Sequence, residues 1–294
     1  MTLTGAVGTA TADTVVGDPI AVGAHPSGVA ITPNGARAYV TNSGTNTVTV
    51  IDTANPTANP TTITVGLAPA GVAITPNGAQ VYVTNLGGDS VSVIDTATND
   101  VAATVPVGAY PMGVAITPNG ARAYVTNYDG NSVTVIDTAT NTVAPNTIAV
   151  GENPSGVAIT PNGAHAYVTN IADGTISVID TANPTATPTT ITVGGNPAGV
   201  AFTRDGARAY VTDNGGNTVS VIDTANPTAT PTTITVGEKP GGVAFTRDGA
   251  RAYVTNWGDN SVSVISIDLT PTSGGSLEGL GSLDIFGSLA GFGS

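Results

Sequence analysis

The tetrapeptide Tyr-Val-Thr-Asn begins at Tyr39, Tyr82, Tyr124, Tyr167 and Tyr253, and Tyr-Val-Thr-Asp begins at Tyr210, at spacings of 43, 42, 43, 43 and 43 residues. Six near-identical units of this size constrain the chain to a repeat architecture. Each unit is too small to bury its own apolar face and must stack on its neighbours. The first copy reads as four strands. Residues 28–32 are followed by the turn Pro33-Asn34-Gly35, in which Pro presets φ and Gly supplies a positive φ. Residues 37–42 lead through Ser43-Gly44-Thr45-Asn46 to 47–52, and a Pro/Asn/Thr loop leads to 61–65. We label these strands a to d. No segment carries a 3.6-residue apolar period, and Thr, Val and Gly disfavour helix. The expected fold is all-β: a six-bladed β-propeller of four-stranded antiparallel blades.

The ends bear on closure. The sixth copy stops after its third strand, near residue 267, while Ile20-Ala21-Val22-Gly23 repeats the fourth-strand sequence Ile148-Ala149-Val150-Gly151. A front strand at 18–23 is therefore expected to complete blade 6, close the ring and remove an open edge. This divides the chain into a lead-in at 1–17, a propeller at 18–268 and a Gly/Ser/Leu-rich tail at 269–294. The tail reads as a flexible linker, or as a docking segment using Leu283, Ile285, Phe286, Leu289 and Phe292.

Composition narrows the function. Seven basic residues against twenty acidic ones give a net charge of −13, which disfavours nucleic acid and anionic membranes as partners. No apolar run reaches the ~18 residues of a spanning helix, so no direct membrane insertion is expected. Residues 1–5 lack the charged and apolar blocks of a signal peptide. Without cysteine there is no disulfide, thiolate metal site or cysteine nucleophile. No metal site and no cofactor are expected.

The Tyr-Val-Thr-Asn core, the Gly-Val-Ala-Ile-Thr-Pro-Asn-Gly lead-in and the Val-Ile-Asp-Thr-Ala-Thr-Asn exit at 93–99 and 135–141 resemble the YVTN β-propeller repeat family over about residues 18–268. The resemblance implies a propeller of the surface-layer-like or secreted type, and hence an extracellular or cell-surface role in interactions.

Comparing the six copies separates scaffold from individuality. If Asn42 closes against Thr47, then Arg37 faces Asp52. The same arithmetic sets Gln80 against Asp95, Arg122 against Asp137, His165 against Asp180 and Arg208 against Asp223. These read as structural cross-strand pairs, with His165 a polar substitute in an arginine column. The d–a and b–c loops share the opposite face, and there the copies diverge. Trp257, Tyr128, Tyr110, Leu86, Ile171, His25, Glu152, Glu238 and Lys239 form the candidate ligand-binding face, with Asp89, Asp129, Asp173 and Asp259 adding negative charge. Exposed Tyr and Trp are common interface anchors. No catalytic residues are assigned, because the chain has two histidines, in different repeat roles, and no nucleophile elbow. The expectation is thus a non-catalytic scaffold binding a protein or carbohydrate. The alternatives are a lactonase-like, metal-dependent hydrolase with acids at the channel mouth, and a repetitive coat or spacer without a ligand.

Overall fold

The computed structural model describes residues 19–268 apart from Thr57; the lead-in and tail expected at 1–17 and 269–294 lie outside the described residues. Blade 1 is Pro26–Ile31 (β1), Arg37–Asn42 (β2), Thr47–Asp52 (β3) and Thr61–Thr64 (β4), hydrogen-bonded in that order. Blade 2 is Pro69–Ile74 (β5), Gln80–Asn85 (β6), Ser90–Asp95 (β7) and Asp100–Pro106 (β8). Blade 3 is Pro111–Ile116 (β9), Arg122–Asn127 (β10) and Ser132–Asp137 (β11), its outer edge split between Thr142–Val143 (β12) and Ile148–Ala149 (β13), both paired with β11. Blade 4 is Pro154–Ile159 (β14), His165–Asn170 (β15), Thr175–Asp180 (β16) and Thr189–Thr192 (β17). Blade 5 is Pro197–Phe202 (β18), Arg208–Asp213 (β19), Thr218–Asp223 (β20) and Thr232–Thr235 (β21). Blade 6 is Pro240–Phe245 (β22), Arg251–Asn256 (β23) and Ser261–Ser266 (β24). All pairings are antiparallel, and the fold is the expected six-bladed all-β propeller.

The recurring tetrapeptide explains how the blades hold together. Tyr39, Tyr82 and Tyr124 are fully buried, and the hydroxyls of Tyr39 and Tyr82 donate to Asn99 Oδ1 (3.0 Å) and Asn141 Oδ1 (2.6 Å) in the following blade. The threonine is a staple. Thr126 Oγ1 accepts from Gly113 N–H within its blade (2.8 Å) and donates to the Ser155 carbonyl of the next (2.7 Å). Thr41, Thr84, Thr169 and Thr212 repeat this bond to Ala70, Met112, Ala198 and Gly241. The asparagine binds within its own blade: Asn42 Nδ2 donates to the hydroxyls of Thr47 and Thr49 on β3. Apolar contact does the rest. Tyr39, Val48, Val50 and Ile63 of blade 1 pack on Val72, Val81, Val83 and Ile94 of blade 2, and four further clusters join each later pair of neighbours. At ~25 cal/mol per Å² of buried apolar surface, these seams dominate the stability.

The closure expected from the front strand is corrected. Among the described residues blade 6 has three strands, β24 is its edge, and residues 19–23 join no ladder. What the segment keeps is the attachment that every d–a loop makes to its own blade. The carbonyls of Ala24 and His25 accept from Gly44 N–H and Ser43 N–H in blade 1, while no described apolar cluster joins blade 6 to blade 1. Val262 and Val264 on β24 are each 55% exposed and Val29 on β1 is 43% exposed, where their counterparts Val91, Val93 and Val72 are buried.

Candidate functional site

The divergent loop face is built from backbone outward. In five blades the residue before the first proline of strand a has a positive φ: His25 (53°), Ala68 (49°), Tyr110 (59°), Asn153 (52°) and Lys239 (52°). Side chains from the preceding blade's b–c loop hold this conformation. Asn46 Oδ1 accepts from Ala68 N–H (2.8 Å), Asp89 Oδ1 from Tyr110 N–H (2.9 Å), Asn131 Oδ1 from Asn153 N–H (3.0 Å) and Asn217 Oδ1 from Lys239 N–H (2.9 Å). The carbonyl of the same residue accepts from the first N–H of its own b–c loop, as in Tyr110 with Tyr128 and Lys239 with Trp257.

The two most variable positions of each blade are therefore neighbours. Tyr110 and Tyr128 meet with ring centroids 6.1 Å apart, and Lys239 Nζ sits 4.3 Å from the Trp257 ring centre. Tyr110 and Trp257 remain exposed. Leu86 lies beside Ala68 and Ile171 beside Asn153 in the same arrangement, and His25 beside Ser43. Glu152 and Glu238 are exposed, but the structure does not gather the acids of this face into a metal site. Asp173 and Asp259 instead accept from Glu152 N–H (2.7 Å) and Glu238 N–H (3.1 Å). Hydrogen bonds from the Ser261 hydroxyl and Glu238 N–H hold the Asp259 carboxyl below the usual carboxylate range. Among the described residues no group of three or more His, Asp or Glu could hold a metal ion.

On the opposite face the register is as expected: Arg37 lies opposite Asp52, Arg122 opposite Asp137, His165 opposite Asp180 and Arg208 opposite Asp223. The side chains go elsewhere. Arg37 donates to the Thr96 carbonyl of blade 2, Arg122 to the Thr181 carbonyl of blade 4 (2.8 Å) and Arg208 to the Asp268 carbonyl (2.6 Å). Each opposed aspartate caps its own c–d loop instead, as Asp180 Oδ1 does for Ala182 N–H (2.9 Å). The arginines are straps between blades.

His165 occupies the strap position of blade 4, where an imidazole is too short to cross. A cavity of about 440 Å³ opens there between blades 4 and 5, lined by His165, Asp180, Tyr167, Asp205, Thr224 and Asn162. Tyr167 is 2% exposed, and burial, followed by the charge of Asp223, pushes its hydroxyl pKa up. Sequence reasoning missed this site by treating His165 as an interchangeable polar residue. The signal was the replacement itself, a short ring in a column of long side chains, four arginines and Gln80.

The family described as lactonase, 7-bladed β-propeller, matches residues 22–149, which span blades 1 to 3. No curated protein matches the sequence. Among solved structures, a functionally unknown protein from Desulfotomaculum acetoxidans is 20% identical with a TM-score of 0.72, covering 84% of each chain. A putative 6-phosphogluconolactonase from Bacteroides uniformis is 15% identical with a TM-score of 0.72, covering 82% of this chain and 80% of its own. Hydrazine synthase of Kuenenia stuttgartiensis is 21% identical with a TM-score of 0.54, covering 89% of this chain and 100% of its own. At these identities the structures speak for the fold alone. The expectation of a non-enzyme is nevertheless corrected: the lactonase family model matches blades 1 to 3.

Proposed function

We propose that this propeller hydrolyses a lactone in the cavity between blades 4 and 5. The observation that carries the reading is the convergence of His165, Asp180 and Tyr167 on that one cavity. His165 takes a proton from water, and the resulting hydroxide adds to the lactone carbonyl carbon. The Tyr167 hydroxyl donates to the tetrahedral oxyanion. The ring C–O bond then breaks, and the imidazolium returns its proton to the leaving alkoxide, giving the open hydroxy acid. Asp180, directly opposite in the ladder, favours the transient imidazolium. The lactonase match, over residues 22–149 and so in other blades than this cavity, supports the reaction class alone.

A panel of γ- and δ-lactones tests this reading. His165→Gln should lower kcat/KM by about 10²–10³-fold with the melting temperature unchanged, in line with the loss of a general base. Failure to open any lactone in the panel, or full activity in the variant, overturns it.

A second reading is favoured by the exposed Trp257–Lys239 and Tyr110–Tyr128 pairs: a carbohydrate- or protein-binding surface, in keeping with the cell-surface role that the YVTN resemblance implies. Base- and sugar-like faces stack on such rings, and aromatic anchors concentrate binding energy. Replacing Trp257, Tyr110 and Tyr128 together by Ala should weaken retention on a glycan array by roughly tenfold or more. Undiminished retention by the folded triple variant excludes this face.

A further inference from the structure

We propose that the cavity between blades 4 and 5 is a receptor for a guanidinium group, the group that an arginine of the chain itself places between other blades. The template is internal. Arg37, Arg122 and Arg208 each begin strand b and each cross to a carbonyl just after strand c of the next blade, at Thr96, Thr181 and Asp268. The corresponding pair in blade 4 is His165 and the Thr224 carbonyl, and both residues line the cavity.

The acceptor side of the slot is kept although the donor is gone. The Thr224 hydroxyl donates to the Gly206 carbonyl (2.5 Å), as Thr181 does to Gly163 (2.5 Å) where Arg122 fills the slot. The carbonyl is thus held by the same local turn. The walls have also gained charge. The a–b turn carries Asn34, Asn77, Asn119 and Asn162 in blades 1 to 4, but Asp205 in blade 5. Asp205 lines the cavity together with Asp180, its Oδ1 also accepting from the Thr203 hydroxyl (2.6 Å) and Ala207 N–H (3.0 Å). Desolvation opposes its ionisation, but the Thr203 hydroxyl, the Ala207 N–H and the charge of Arg208 outweigh it and hold the Asp205 carboxyl below its ordinary range. No arginine or lysine is among the lining residues.

A planar cation with several N–H donors matches two carboxylates and a carbonyl far better than a neutral group does. About 440 Å³ exceeds a guanidinium alone, so the ligand has room for an alkyl or acyl portion beside His165. The source is a small alkylguanidine or an arginine side chain presented by a peptide. The inference shares its cavity with the hydrolase reading and rests on its own geometry.

The test is calorimetric titration of the intact protein with agmatine, with Nα-acetyl-arginine amide and with the uncharged Nα-acetyl-citrulline amide. Both guanidinium probes should bind and citrulline should not; preference for agmatine indicates a small-molecule source, and preference for the arginine amide a peptide. His165→Arg supplies the missing strap and should reduce binding at least fifty-fold without lowering the melting temperature. Asp205→Asn should weaken binding about tenfold, whereas Asp248→Asn, the same turn in blade 6, should leave it unchanged. Equal binding of citrulline, no binding of either guanidinium probe, or undiminished binding by a folded His165→Arg protein overturns the proposal. Guanidinium binding without lactone turnover leaves this inference standing and removes the hydrolase reading; turnover without guanidinium binding does the reverse.

Discussion

Gly113→Ala is expected to destabilise the propeller by about 3 kcal/mol, lowering the melting temperature by roughly 6–12 °C. A Cβ at this position would lie 2.5 Å from the Ser155 carbonyl oxygen of the next blade and 3.2 Å from Thr126 Oγ1. Neither neighbour is free to move. The Ser155 carbonyl is the acceptor of the Thr126 staple, and Thr126 Oγ1 is the acceptor of the Gly113 N–H. Relief of the clash must either break a buried hydrogen bond or part the seam formed by Tyr124, Val133 and Val135 against Val157, Val168 and Ile179. The same crowding recurs at Gly28, Gly156 and Gly199, where the added atom meets the carbonyls of Ala70, Ala198 and Gly241. Glycine is thus required there by how closely neighbouring a strands approach, independently of φ. Gly87→Ala is the control, because its nearest neighbour is 3.5 Å away, and it should change stability by less than about 0.5 kcal/mol. Thermal and urea melts of the two variants decide the matter. A Gly113→Ala protein within about 1 kcal/mol of the parent rejects the staple-and-seam account.

The periodicity made the blades legible because one strand cycle fills one repeat, and strand register follows from turn length. That is why Arg37 meets Asp52 and His165 meets Asp180 as the spacing requires. Register does not say where a long side chain ends. Arg122 finds its acceptor 59 residues away, in another blade, and only three-dimensional packing brings Thr181 within reach. For the same reason a histidine in the arginine column looked harmless on paper, although it lines a cavity between two blades in the folded chain. Scarcity of histidine argued against catalysis, but one imidazole lining a cavity between blades is enough to build a candidate site. On the loop face the variable positions were recognisable by comparing copies. Their pairing was not, because it depends on Tyr110 and Lys239 adopting left-handed backbone, imposed by Asp89 and Asn217 of the preceding blade. The front strand shows the limit from the other side. Similarity to 148–151 suggested its partner, yet residues 19–23 join no ladder, and no described apolar cluster joins blade 6 to blade 1 to bring that partner near.

In alkali the propeller should unfold cooperatively between about pH 10 and about 12, with the buried tyrosines ionising as the blades come apart. Burial, and then the charge of Asp137, pushes the Tyr82 hydroxyl from 10.0 up to about 12. Burial likewise raises Tyr124, against the opposing influence of Arg122, and raises Tyr167 and Tyr210. A folded-state pKa above the unfolded one contributes stability that is fully present below the unfolded value and is lost as pH rises through the folded value. The unfolded chain releases these protons near pH 10, so each further step in pH draws the equilibrium toward it. Four such groups, one on each of four successive seams, make the loss cooperative: exposing one tyrosinate opens the interface that shelters the next. Tyrosinate absorbance and far-ultraviolet circular dichroism, followed together from pH 8 to 12.5, should change in a single coincident transition. Tyr82→Phe keeps the ring in the seam and removes the proton. It forfeits about 1 kcal/mol at neutral pH with the bond to Asn141, yet its alkaline midpoint should move upward. A tyrosinate band that grows smoothly near pH 10 while the β-structure persists, or an unmoved midpoint in Tyr82→Phe, contradicts the claim that burial at the seams holds these hydroxyls protonated.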